Sequence, residues 1–197
     1  MVGKIFINYR RGDDPGFAGR LFDRLEDAFK PEQLFMDVDS IPPGQDFVQV
    51  LTDQVAKCDV LLAVIGQSWI SASNNAGTRR LDDPNDFVRI EIEAGLNKEK
   101  LVIPVLVNGA EMPRAEMLPN TLQPFTRRNA VRLTHDRFRA DTQGLIDQLK
   151  LVIAAAENAA RDAERIAREQ SEKRRERWYW ISSASKHCSV QPRTASH

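Results

Sequence analysis

Among the ionisable residues of this 197-residue sequence, Glu91 is the one whose neighbours fit an ordinary surface position least well. A glutamate on a helix is usually solvated. Here Phe87 and Val88 stand one turn before it, Ile90 and Ile92 flank it, and Ala94 and Gly95 stand one turn after it. Arg89 and Glu93, polar and four apart, suit an outward ion pair, whereas Glu91 reads as a carboxylate set among apolar and small residues. A charge there is costly to bury and is therefore a candidate for chemistry. Two further runs carry useful groups, Tyr9-Arg10-Arg11 and Gly66-Gln67-Ser68-Trp69. Arginine forks onto phosphate oxygens, glycine permits close backbone approach, and Trp69 offers a flat face to a base or a cationic ring. Surface salt bridging is the ordinary alternative for the arginines, and a place at the edge of the core is the ordinary alternative for Trp69. Asp37 and Asp39 form a second carboxylate pair on paper, but their position suits strand ending and loop capping, which leaves them a supporting role.

Other chemistries are excluded by what is missing. The run Gly12-x-x-x-Gly16-x-x-Gly19 lacks the Gly-x-Gly opening of a dinucleotide fingerprint, and no Gly-Lys-Ser/Thr phosphate loop occurs. His135, His187 and His197 have no metal-ligand spacing, and Cys58 and Cys188 make neither a zinc site nor a disulfide framework, so no metal is expected. Two cysteines without a pairing pattern indicate a reducing compartment. Lysine plus arginine is 28 and aspartate plus glutamate is 28, a formal net charge of zero, which argues against nucleic acid as a partner. The start, Met1-Val-Gly-Lys-Ile-Phe-Ile, enters a strand without signal-peptide architecture, and no run approaches the ~18 apolar residues of a membrane span. A cytoplasmic location is the expectation.

The elements that must position these residues follow from periodicity. Lys4 to Asn8, Leu34 to Val38, Asp59 to Ile65, Leu101 to Val107 and Ala130 to Leu133 have strand length, and the continuous apolar runs of the third and fourth imply burial on both faces. Between them, Phe17, Leu21, Phe22, Leu25, Ala28 and Phe29 recur at helical spacing, as do Phe47, Val48, Leu51 and Val55. Asp83-Pro84 reads as an N-cap and first helical position for the helix that carries Glu91. That places Glu91 ~10 Å along it at 1.5 Å per residue. A further helix begins near Phe138. Strands alternating with helices predict an α/β fold with a parallel sheet covered on both faces, filling residues 1–150.

Past about Gln143 the pattern changes. Leu149, Ile153, Ala156, Ala160, Ala163 and Ala167 follow steps of four and three, with Glu157–Arg161, Glu164–Arg168 and Glu169–Lys173 as acid-before-base pairs. Residues 151–181 therefore read as a charged helical or weakly coiled-coil tail. Its basic end leads into Trp178-Tyr179-Trp180-Ile181, a composition compatible with a membrane surface, although a solvated helix end is the preferred reading. Residues 182–197 read as disordered.

Three segments together resemble the TIR (Toll/interleukin receptor) family, particularly its bacterial members. They are Phe6-Ile7-Asn8-Tyr9-Arg10-Arg11, the stretch from Phe35 through Asp37-Val38-Asp39-Ser40-Ile41-Pro42-Pro43-Gly44 to Phe47, and Asp86-Phe87-Val88-Arg89-Ile90-Glu91-Ile92. Their order and spacing cover roughly residues 4 to 150. Asn8 stands where serine is frequent in the family. The resemblance implies a flavodoxin-like, five-stranded sheet of order 2-1-3-4-5, whose ligands bind beyond the carboxyl ends of strands one and three.

It also implies two classes of function. In the first, the protein hydrolyses NAD+ between nicotinamide and ribose, giving linear or cyclic ADP-ribose in signalling, defence or virulence. Glu91 then matches the single catalytic glutamate, and Tyr9, Arg10, Arg11, Asp37, Gly44, Ser68 and Trp69 surround the substrate. NAD+ would be the substrate, and no cofactor is implied. In the second, the domain is a non-enzymatic module that recruits other TIR domains through the loop Ile41-Pro42-Pro43-Gly44. The two are compatible, because similar enzymes complete their pocket when protomers stack, which makes a homo-oligomer the expected active form.

Overall fold

Short apolar runs alternating with amphipathic helices give each strand two faces to bury, and the chain solves this by placing helices on both sides of one sheet. The computed structural model describes residues 3–36 and 44–187, with side chains up to residue 179. In chain order the elements are β1 (Ile5–Asn8), α1 (Pro15–Glu26), β2 (Leu34–Met36), α2 (Phe47–Ala56), β3 (Val60–Ile65), α3 (Phe87–Asn97), β4 (Leu101–Val107), β5 (Val131–Leu133) and α4 (Phe138–His187). The sheet order is β2-β1-β3-β4-β5 with every pairing parallel, as expected for a flavodoxin-like sheet. Ile5 pairs with Val60 and Val60 with Leu101, which aligns the three central strands.

Strand alternation divides the core in two. Ile5, Ile7, Leu62, Val64, Val105 and Val107 face α1 and the first turns of α4, packing on Leu21, Leu25, Leu145 and Leu149. Phe6, Leu61, Ala63, Ile65, Val102 and Leu106 face the other way, onto Val55 of α2, Val88 and Ile92 of α3, and Phe125. Gly95 lets α3 approach closely: a Cβ there would lie 3.1 Å from Val102 Cγ2 and 3.2 Å from Leu61 Cδ1.

Two boundaries depart furthest from the sequence-based expectation. The Asp83-Pro84 pair does not open α3. Asp83 accepts from the Asn85 N–H at 2.8 Å and closes a turn, and α3 begins four residues later behind Asp86. The cap closest to the apolar run prevails because its carboxylate reaches the Arg89 N–H, at 3.1 Å.

The second correction concerns the C-terminus. The α4 backbone continues through His187, so 182–187 is helical rather than disordered. Ser182-Ser-Ala-Ser-Lys-His187 contains neither glycine nor proline, and the first breaker is Pro192. Residues 188–197 lie outside the described residues.

The chain divides into two compact units, Met1–Ala154 and Ala155–His197. The second unit is helical as far as His187, with Trp178 and Tyr179 exposed. Among the described residues its ion pairs join Arg165 to Asp162 and Glu169, and Arg168 to Glu172, rather than the pairs expected from spacing. On an exposed helix each arginine has several acids in reach, at nearly equal energies. Among the described residues, no helix is long and apolar enough to cross a membrane.

Candidate active site

Glu91 is the fifth residue of α3, ~6 Å from its start at 1.5 Å per residue, and it is 7% exposed. In sequence α3 follows β3, and one contact that holds Glu91 comes from the neighbouring strand β1. Asn8, the last residue of β1, is 1% exposed and donates from Nδ2 to Glu91 Oε2 at 2.6 Å and to the Val88 carbonyl at 3.3 Å. Its Oδ1 is buried and has no hydrogen-bond partner. The carboxylate thus lies at the carboxyl edge of the sheet, at the switch point between β1 and β3, where such folds place their ligands.

A second bond network ties the same edges together. Arg10 is 2% exposed and forks onto Asp86, Nη1 to Oδ2 at 2.8 Å and Nη2 to Oδ1 at 2.9 Å. Arg80 adds a contact from Nε to Asp86 Oδ2 at 3.1 Å. Asp13 accepts from the Gly66 and Ser68 N–H groups, each at 2.8 Å, which joins the loop after β1 to the loop after β3. A Cβ at Gly66 would lie 2.5 Å from Asp13 Oδ1, so this contact requires glycine. In the segment leading to α3, Arg79 Nε donates to Asp82 at 2.9 Å, and that hydrogen bond holds the Asp82 carboxyl below its ordinary value.

Beside the head of α3 lies an open cavity of about 570 Å³, bordered by Asn74, Asn75, Arg80, Asp83, Asp86 and Phe87. Phe87 is 48% exposed, and its ring centroid stands 5.3 Å from that of Phe47 at the start of α2. Phe87 and Glu91 are four residues apart in one helix, hence on one face.

Two expected ligand contacts are corrected by this geometry. Trp69 has no face to offer a base: it is fully buried, tilted against Phe125 at 6.1 Å in the second core cluster. Its apolar surroundings at the end of β3 make it a packing residue. Arg10 is not poised for phosphate, because both of its terminal nitrogens are engaged by Asp86 at a buried position.

Of the remaining candidates, Tyr9 is half-buried against the first core cluster, while Arg11 and Ser68 are exposed. Gly44 is exposed at φ +85°, a left-handed conformation that favours glycine. Asp37, Ile41, Pro42 and Pro43 lie outside the described residues.

Asp13, Asp86 and Phe87 were not picked out by type and spacing. Asp86 had a legible signal, an Asx residue directly before an apolar run, but Asp82, Asp83 and Asn85 compete for the same reading. Asp13 had none, since its partners are backbone groups more than fifty residues away.

Comparison with known proteins gives a consistent family. A family model described as a TIR domain matches residues 5–149. The chain is 28% identical over 136 residues to the NAD(+) hydrolase tir-1 of Caenorhabditis elegans, covering 67% of this chain and 13% of that protein. It is 25% identical over 159 residues to the NAD(+) hydrolase sarm1 of Drosophila melanogaster, covering 81% of this chain and 11% of that one. The chain therefore spans a small fraction of these relatives' length. The TIR domains of the activated Roq1 resistosome superpose with a TM-score of 0.50 at 16% identity, covering 74% of this chain and 96% of that chain. A metazoan TIR-STING receptor from C. gigas also superposes with a TM-score of 0.50, at 18% identity, covering 74% of this chain and 38% of that one. At such identities the structural likeness shows the fold alone.

Proposed function

The chain belongs to the TIR domain family, and from that premise we propose that it hydrolyses NAD+ at the nicotinamide–ribose bond, with Glu91 as the catalytic carboxylate. The observation that carries the reading is the placement of Glu91: an acid 7% exposed, on α3, hydrogen-bonded to the end of β1 at the sheet's switch point. Support also comes from the two NAD(+) hydrolases to which the chain is similar.

The chemistry asks little of the protein beyond this. Nicotinamide in NAD+ is cationic and departs neutral with the electron pair of the C1′–N bond, so no general acid is needed. Positive charge then develops on the ribose, and a fixed carboxylate stabilises it electrostatically while holding the ribose hydroxyls. Water adds at C1′ and loses a proton, giving ADP-ribose. One carboxylate is enough, unlike the acid–base pair of ordinary glycosidases. Phe87, half-exposed in the 570 Å³ cavity and one turn before Glu91, offers the aromatic face that buried Trp69 cannot. Arg80, with a side chain 43% exposed beside that cavity, is better placed for a phosphate than Arg10.

Glu91 is nearly closed off in a single chain, and this supports activation by assembly with further copies, which would rearrange or complete the pocket. The buried free thiol of Cys58 agrees with a reducing, cytoplasmic setting. The test is NAD+ turnover per chain measured across protein concentration, with and without fused dimerising partners. Specific activity that climbs with concentration and with forced pairing supports the proposal. No turnover in any of these states contradicts it and leaves an assembly module.

A further inference from the structure

Asn8 has an unusual hydrogen-bond inventory. It is 1% exposed at the end of a central strand, a position better suited by packing to valine or isoleucine. Both hydrogens of its amide are used, one on the Val88 carbonyl at 3.3 Å and one on Glu91 Oε2 at 2.6 Å. The opposite amide orientation would set Oδ1 against two acceptors, so the network fixes the assignment. The consequence is a buried Oδ1 with no partner. An orphaned buried acceptor carries a desolvation penalty, and in a stable core such a group calls for a reason.

We propose that Asn8 is a positioning residue for Glu91, whose side-chain N–H holds one carboxylate oxygen and thereby sets the orientation of the carboxylate toward the reacting ribose. The inference rests on the NAD+ hydrolase reading and deepens it. The Val88 contact makes the placement rigid, since the same amide nitrogen is bound to the α3 backbone one turn before Glu91. Nearby buried charges anchor the same edge: Arg10 forks onto Asp86, and Asp13 accepts from the N–H groups of Gly66 and Ser68. Serine, with a hydroxyl on a shorter stem, keeps a donor but cannot span both Val88 and Glu91. Aspartate matches asparagine in shape and replaces the donor with an acceptor facing an acid.

Two measurements test this, one of them independent of catalysis. In full-length protein carrying labelled asparagine, the Asn8 side-chain amide hydrogens are expected to exchange slowly with solvent and to shift strongly in Glu91→Ala. Fast exchange, or resonances unmoved by Glu91→Ala, overturns the proposal.

In turnover, Asn8→Leu is expected to lower kcat about 10- to 100-fold with a smaller change in KM, the scale of a misplaced catalytic group. Asn8→Ser should recover much of that loss, and isosteric Asn8→Asp should fall below Asn8→Ser. A purely structural role predicts instead that kcat follows folded fraction, with Asn8→Asp no worse than Asn8→Ser; that ranking also overturns the proposal. A protected Glu91-dependent amide in a protein that never consumes NAD+ would sink the hydrolase reading while leaving the Asn8–Glu91 bond in place.

Discussion

Removing Asp86 should do more damage than removing its partner Arg10, and the structure allows the difference to be worked out. Both side chains of the pair are 1% exposed. Truncating one member of a buried, hydrogen-bonded ion pair costs about 3–5 kcal/mol, because the other is left charged in a poor solvent. Asp86→Ala strands Arg10 and also strips the cap from α3, a further cost of about 1 kcal/mol, for about 4–6 kcal/mol in all. Arg10→Ala is milder, since Asp86 keeps Arg80 at 3.1 Å and the Arg89 N–H at 3.1 Å; about 3 kcal/mol is expected. For a unit of this size that is a fall in Tm of about 6–12 °C. The double variant Arg10→Met/Asp86→Asn leaves no buried charge and retains a capping side chain, so it should lie within about 1–2 kcal/mol of wild type. Urea denaturation followed by circular dichroism measures all of these. If the two losses simply add in the double variant, or if Asp86→Ala costs under about 1 kcal/mol, the ion pair is not what joins the end of β1 to α3.

Three further outcomes follow from other sites. Gly66→Ala should lose about 1–3 kcal/mol in the same denaturation assay, because its Cβ would displace the Asp13 carboxylate and leave the buried Gly66 N–H and the part-buried Ser68 N–H without their acceptor. Burial pushes the Cys58 thiol up to about 11, which favours the neutral form in the folded protein. In a Cys188→Ser background it should therefore resist thiol reagents at about pH 7 until the chain unfolds, and its contribution to stability should fade only as pH rises above about 8.5. The Thr134 N–H and hydroxyl hold the Asp141 carboxyl below its ordinary value; the stability this confers over Asp141→Asn should be present above about pH 4 and disappear as pH falls below it, which thermal melts across an acid series would reveal.

Much of the fold was legible in the sequence because it depends on local pattern. Val60–Ile65 is apolar throughout and lies in the sheet centre, and the α1 stripe of Phe17, Leu21 and Leu25 buries as its spacing requires. Glu91 could be singled out for the same reason, by the neighbours on its own helix.

What could not be read were contacts set by distant residues. Arg10 looked like a free phosphate ligand because its partner Asp86 is 76 positions away, and Trp69 looked available because Phe125 covers it from another loop. The onset of α3 is not fixed by local pattern, for an energetic reason. Several acids in a row can each cap a helix, and the choice among them depends on which one can reach the first free N–H groups without leaving the turn before it unclosed.

The most direct test of the central claim is NAD+ consumption by the purified chain at high concentration, beside Glu91→Ala checked for equal folding. Removing one stabiliser of developing charge typically costs about 10²–10³ in rate, far beyond assay error. A wild type that consumes NAD+ beside a folded variant slower by that factor is the predicted result. Equal consumption by both would contradict the role given to Glu91, and no consumption by either, even when artificially clustered, would contradict catalysis itself.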